Sequence, residues 1–429
     1  MPRLNRASAR RSRFILLCLA TALGALAFGF APRSAEAAPT ARFAATPVQG
    51  ASCVAPCIVH LDATATTDTN TARPFHELDY AWSCGEPGTG NWPTRLGGSK
   101  NTPRGPISGC VYETPGTKTI DLTVRAGDGS MSTARQTVQV RAPYDQFGAQ
   151  GVYCFRSSAT GDFRGCPLDR DSNGTCEMDP GGHCATQASF TAALNTCGAN
   201  SAQRGCYFRR GDTFSGGGAY GLSRNGTPTT PGVVGAFGPT TSPRPLLTGA
   251  TGVVAPRSHW TVHGLQAQLT GGSMFSSIGF DDRNFSVYQV SASGPMDACI
   301  SNSTGGGTVF TDLLALVEMD CNSTAVQATA MFLRAERALV LGSRVNNNGT
   351  GEFNLRTVHW WKSAIQHTDL IGPGNPGRGG GRGDRNPLQI RSWAQSTNGE
   401  NPSGSGPPPK ETRWVVVSDN HLSWHAGGN

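Results

Sequence analysis

The sequence predicts an all-β protein, a β-sandwich followed by a parallel β-helix. Three observations carry this. Of 429 residues, 37% are hydrophobic and only 15% charged, with 56 Gly and 28 Pro. That excludes a coiled coil or helical bundle but stops short of a disordered or collagenous composition. Thr119-Ile120-Asp121-Leu122-Thr123-Val124 alternates polar and apolar residues, as a half-buried strand does. A six-residue pattern with apolar or small ends recurs through the second half at a spacing near 25 residues.

At the N-terminus, Arg3, Arg6, Arg10, Arg11 and Arg13 precede an apolar run from Phe14 to Phe30 and the small-residue site Ala35-Glu36-Ala37. This order reads as a secretory signal, residues 1–37, with an uncleaved anchor as the alternative because the run is near the lower limit for a span. These residues hold six Arg and one Glu, so their removal takes the net charge from +7 to +2. The basic domain that a nucleic-acid binder needs is then missing, and no stable membrane span is expected. Cys18 leaves too. The remaining cysteines fall into even groups: Cys53, Cys57, Cys84 and Cys110; Cys154, Cys166, Cys176, Cys184, Cys197 and Cys206; Cys299 and Cys321. In an exported chain this predicts disulfides within groups. Paired C-x-x-C elements with His partners, which would favour zinc, are missing from the sequence.

Residues 40–142 read as strands separated by turns at Pro115-Gly116 and Gly127-Asp128-Gly129, with a last strand at Thr137-Val138-Gln139-Val140. Tyr80-Ala81-Trp82-Ser83-Cys84-Gly85 and Tyr112-Glu113-Thr114-Pro115-Gly116, continuing to Val124, resemble the core strand and hairpin of the PKD (polycystic kidney disease) domain. The resemblance implies an immunoglobulin-like β-sandwich that acts as a spacer or a weak binder of glycan or protein. Cys84 and Lys118 stand where that family has aromatic residues, and a Cys84–Cys110 bond would accommodate the change. Trp82 is expected to face the sandwich core.

Residues 143–206 read as a cysteine-rich junction that ends in a helical cap. Asp169, Asp171 and Asn173 alternate before Gly174, matching the first half of a D-x-D-x-[DN]-G calcium loop, and Glu177 follows at a later ligand position. Pro180 stands where an EF-hand carries its bidentate Glu, so a lone calcium loop is expected rather than an EF-hand; a solvated acidic turn is the alternative. Thr186 to Thr196 suits a short helix with Phe190, Leu194 and Cys197 on one face. Such a helix would cover the first coil of a solenoid.

Over residues 207–429 the recurring pattern starts at Val262, Val287, Thr311, Val340, Ile365 and Val417, in steps of 25, 24, 29, 25 and 52. Leu333-Arg334, Leu355-Arg356 and Ile390-Arg391 precede the last three occurrences, which places the Ser396–Pro409 insertion within one coil. Short strands at this period stack about 4.8 Å apart around one continuous core, whereas sandwich turns recur every ~8–12 residues. Phe208-Arg209-Arg210-Gly211-Asp212-Thr213-Phe214, Gly232 to Gly249 and Trp414 to Asn420 resemble the pectate-lyase-like right-handed β-helix superfamily. That resemblance implies a right-handed parallel β-helix handling polysaccharides, mostly acidic ones, by β-elimination or hydrolysis. A strand-like segment lies close to Asn429 without a closing cap, leaving room for further coils.

Elimination from a uronate needs a cation on the carboxylate and a base for the C5 proton. Arg334, Arg356 and Arg391 share a repeat position, would stack, and could hold carboxylates bidentately. Alternatively they pair with Glu336, Glu352, Asp384 or Glu411. His359, Lys362 and His367 are the candidate bases, or satisfied turn residues. Trp360 and Trp361 point to opposite faces if both lie in a strand, one towards the core and one as a platform for a sugar ring. Asp281-Asp282 is a further acidic pair, and Arg382-Gly383-Asp384 spells an adhesion tripeptide inside a Gly-rich run. The sequence contains no G-x-S-x-G, H-E-x-x-H or phosphate-loop motif.

Two functions follow. One is an exported carbohydrate-active protein that binds an acidic polysaccharide and cleaves it or merely holds it, with calcium as the cofactor in view. The other is a non-catalytic surface or adhesion protein with a rigid β-helix stalk. Catalysis requires Arg356, Arg391 and one of the three bases to converge on a single groove. A stalk leaves them scattered or paired.

Overall fold

The computed structural model describes residues 38–423 except 199–203, 217–219, 223–224, 256, 277–283, 297, 302–310, 325–328, 348–352, 359, 373–385 and 392–411. The proposed signal, residues 1–37, lies outside them, as do Asp281, Asp282 and the Arg382-Gly383-Asp384 tripeptide. Among the described residues no helix is long and apolar enough to cross a membrane.

The first unit contains β1 (Ala44–Pro47), β2 (Cys53–Val54), β3 (Cys57–Asp62), β4 (Asp79–Ser83), β5 (Ile107–Tyr112), β6 (Gly116–Arg125) and β7 (Met131–Arg141). They form two sheets, β1-β3-β5 and β2-β7-β6-β4. The alternation read at Thr119–Val124 is the pleat of β6, whose Ile120, Leu122 and Val124 are buried. Trp82 is buried between the sheets, edge-on to Phe43 at 5.1 Å, and its indole N–H donates to the Gly105 carbonyl at 2.7 Å. Cys84, just after β4, is bonded to Cys110 on β5 and ties the two sheets together. The other disulfides join Cys53–Cys57, Cys154–Cys166, Cys176–Cys184, Cys197–Cys206 and Cys299–Cys321, all within the expected groups.

The second unit is a parallel β-helix with three faces. The ladder of its first face begins earlier than the repeats suggest: β8 (Val152–Arg156) pairs in parallel with β9 (Cys184–Thr186) and with β10 (Gly205–Arg209). It continues through Gly232–Phe237, Trp260–His263, Phe285–Tyr288, Thr311–Val317, the second half of Thr329–Leu341, Trp361–Gln366 and Arg413–Ser418. The helix Phe190–Gly198 covers this end, burying Phe190, Ala193, Leu194 and Cys197 against a core that includes Phe155, Phe208 and Phe214. It starts four residues later than read from the sequence, because Cys184–Thr186 is taken up in the ladder beside β8.

The recurring pattern is a corner rather than a strand. Val262, Val287, Leu316, Val340, Ile365 and Val417 form one register column on the first face. Ala267, Ala292, Cys321, Val345, Leu370 and Leu422 form another on the second face. Between them the chain turns through a residue with positive φ: Gly264, Gln289, Glu318, Gly342, His367 and Asp419. The third occurrence is therefore Leu316, not Thr311 as the sequence pattern suggested. Thr311-Asp-Leu-Leu-Ala-Leu316 has apolar or small residues where either register would want them, and the coil before it is longer. Ile365 pairs with Val417 directly, so the 52-residue step is one coil with an insertion, as expected.

The sandwich is not a free spacer. Strands β3 and β5 are buried on both sides. One side faces the sandwich core. The other brings Ile58, Ile107 and Val111, with Val48 and Trp92, against Tyr288, Leu313, Ala315, Val317, Leu339, Leu341 and Ala364 of the first face. The approach is so close that a Cβ on Gly109 would lie 2.9 Å from both Leu339 and Leu341. Polar contacts fix the register: Gln49 Nε2 donates to Thr261 Oγ1 at 2.6 Å, and Ser108 Oγ to Gln366 Oε1 at 2.6 Å.

Candidate functional site

This docking decides the fate of most residues picked out from the sequence. Lys362 donates to the Asp62 carboxylate at 2.7 Å, while its own carbonyl lies 2.8 Å from His60 Nε2. Its side chain is therefore engaged in an interdomain ion pair and does not face an open groove as a free base would. His367 occupies a positive-φ corner position and stacks on Trp92 with ring centres 6.0 Å apart. Burial lowers its pKa, opposed by Asp419 and the Gly97 backbone. It lies beneath the sandwich, not in an open groove. His359 lies outside the described residues.

The arginines do not form one stack. Arg334 and Arg391 share a column on the third face with Val358 between them, whereas Arg356 sits in the column of Phe332 and Gln389. The Leu-Arg and Ile-Arg dipeptides recur, but the corner to the first face has different lengths in different coils, so the dipeptides slide by two residues. A slip of two keeps a residue on the same side of the sheet, which is why the sequence could not reveal it. Trp360 is fully buried in the solenoid core and cannot be a sugar platform; Trp361 opens the next strand and is half-buried. Trp414 packs edge-on to Phe75 of the first unit at 5.0 Å.

The open surface that remains includes the second face. Its strands place a small or apolar residue inward and polar residues on either side of it. One outward column reads Gln266, Ser291, Asp320, Arg344, Asp369 and His421. The next reads Gln268, Ser293, Asn322 and Asn346. A groove of about 290 Å³ runs along them, lined by Gln266, Ser291, Ser293, Asp320, Asn322, Arg344 and Asn346, with Ala292 at its floor as the one apolar residue among those described. Partial burial raises the Asp320 carboxyl above its ordinary range, opposed by Arg344 and Arg244. Arg344 is 47% exposed and lies 3.6 Å from Asp369, which is itself buried. Asp369 also accepts the Arg95 backbone N–H at 3.0 and 3.2 Å, so it does not depend on Arg344 alone. Sequence reasoning missed this groove. Its signal was present in the polar residues flanking each inward Ala267, Ala292, Cys321 and Val345.

A second concavity, of about 480 Å³, lies where the sandwich, the junction and the solenoid meet. It is lined in part by Pro56, Glu113, Tyr144, Asp169, Tyr207 and His263. Burial pushes the His263 ring down to about 3, assisted by Arg210, and raises the Tyr207 hydroxyl. Asp169 and Arg170 form part of one wall, and carboxylate oxygens of Asp169, Asp171 and Glu177 lie within 4.8 Å of one another. The Asn173 amide contacts Asp171 Oδ2 at 2.8 Å.

No family model and no curated protein matches the chain. Among solved structures, the PKD1 domain of the Vibrio cholerae metalloprotease PrtV is 23% identical, covering 24% of this chain and 98% of that one, with a TM-score of 0.18. The PKD1 domain of Vibrio anguillarum Epp is 22% identical over 25% of this chain and 99% of that one, TM-score 0.18. The Yersinia enterocolitica family 28 exopolygalacturonase covers 90% of this chain and 86% of its own at 8% identity, TM-score 0.24. At these scores the likeness carries no argument, and the architecture stands on the strand registers given above.

Proposed function

We propose that this chain is an exported, non-catalytic binder of acidic polysaccharide, and that the second face of its solenoid holds the polymer. The observation that carries this reading is the groove of about 290 Å³ lined by Ser, Asn, Gln, Asp and Arg side chains on consecutive rungs. Convergent polar groups in an open, elongated concavity suit the hydroxyls of a sugar chain better than an apolar ligand. Arg344 gives the preference for acid. It can turn to a substrate carboxylate while Asp369 keeps its backbone donor, so engaging the ligand does not strand a buried charge. Among the described residues no aromatic side chain lines the groove, so contact is by hydrogen bonds and affinity is modest.

Cleavage is the second reading, and the scatter of Lys362, His367 and Arg356 speaks against it. Export is supported by the disulfides, which persist in oxidising compartments. The test is affinity electrophoresis of the mature chain in pectate, alginate and a neutral glucan, with an assay for unsaturated uronate products alongside. Retardation by uronans without product is expected. Arg344→Ala should weaken uronan binding about tenfold, the loss of one charge-assisted contact. No retardation on any polymer would remove the glycan reading, and product formation would replace binding with catalysis.

A further inference from the structure

The segment from Cys166 to Glu177 brings three carboxylates together. Asp169 is 4% exposed; its Oδ2 accepts the Gly174 N–H at 3.1 Å, and its Oδ1 is buried with no hydrogen-bond partner among the described residues. Two further carboxylates, Asp171 and Glu177, bring oxygens within 4.8 Å of it. A buried carboxylate oxygen with no donor is costly, whereas Asp171 and Glu177 beside it are exposed and solvated. The nearby cationic side chains are engaged elsewhere: Arg170 lies over the Tyr144 ring at 4.9 Å, and Arg209 pairs with Asp212 at 2.9 Å and Asp162 at 3.5 Å.

We propose that Asp169, Asp171 and Glu177, with Asn173 alongside, bind one calcium ion. The donors are all hard oxygens. The neighbouring cysteines are disulfide-bonded and offer no thiolate, which argues against zinc. Carboxylates from a short irregular loop can supply the higher, flexible coordination number of calcium rather than the rigid octahedron of magnesium. The two ends of the loop are clamped by different disulfides, Cys154–Cys166 and Cys176–Cys184, so much of its ordering entropy is already lost. The bound ion partners the buried Asp169 carboxylate and fixes one wall of the cleft between sandwich and solenoid. This site does not depend on the glycan reading.

The test is thermal unfolding and calorimetric titration of the full mature chain with calcium alone, no glycan being present. Wild type should bind one ion with Kd of about 10⁻⁴–10⁻³ M, as extracellular modules do, and 5 mM calcium should raise Tm by about 2–4 °C over EDTA. Asp171→Asn and Glu177→Gln, both at exposed positions, should each weaken binding at least tenfold and remove the Tm shift. In EDTA their Tm should match that of wild type, because both side chains are exposed. Absence of the shift in wild type, its survival in both variants, an equal shift with magnesium, or a lower Tm of the variants in EDTA would overturn the proposal.

Discussion

His60 has no exposed surface, and its Nε2–H donates to the Lys362 carbonyl at 2.8 Å. Burial brings its pKa from 6.5 down to about 4, although that carbonyl pulls the other way. The unfolded chain therefore takes up the proton more readily than the folded one. The stabilisation is complete above the unfolded value and is lost as pH falls from about 6.5 to about 4, on the order of 3 kcal/mol across the window. Asp62 acts in the same direction at lower pH. Burial alone would raise it, but hydrogen bonds from Lys362 and Thr64 outweigh that and hold it below its ordinary range. Calorimetry at pH 7 and pH 5 should show a clear drop in Tm for wild type and a smaller one for His60→Gln. Equal drops would mean that the titrating group is elsewhere.

At the scale of the element, adjacent tryptophans separate core from surface. Trp360 fills the solenoid interior, and Trp361 beside it is half-buried. Trp360→Ala should cost about 3–5 kcal/mol, the range for removing a buried aromatic side chain, and Trp361→Ala much less. Denaturant melts of the two variants would check this; similar losses would refute the assignment of faces. The corner also explains how the period became legible. Each turn needs an apolar residue on the first face, a residue tolerating positive φ, a buried residue and another inward residue, as in Val340-Leu-Gly342-Ser343-Arg-Val345. That grammar is local, so it survives in sequence even where loop lengths differ.

At the scale of the molecule, the sandwich is built into the solenoid. Val111 is 2% exposed and faces the solenoid, while its neighbours Cys110 and Tyr112 face the sandwich core. Val111→Asp should therefore leave the sandwich folded but place a charge in the apolar interface. Small-angle scattering should then report a larger radius of gyration and faster proteolysis between the units. An unchanged radius would show that the sandwich is held by other contacts. Export is checked by the N-terminus of the secreted chain, expected at Ala38.

The sequence by itself determined the β character, the sandwich core around Trp82, the grouping of the cystines, the helical cap and the coil with its insertion. These depend on alternation, spacing and turn residues, which act over a few neighbours. Only the tertiary structure decided which outer surface is covered. Cys57-Ile-Val-His-Leu61 and Ile107-Ser-Gly-Cys-Val-Tyr112 are buried along their whole length. They did not name the partner, because a contact between residues some 200–300 positions apart leaves no local pattern. The same distance hid the Lys362–Asp62 pair. The two-residue slip of the arginines stayed hidden for another reason: side chains two apart on a strand look to the same side, so patterning is blind to it.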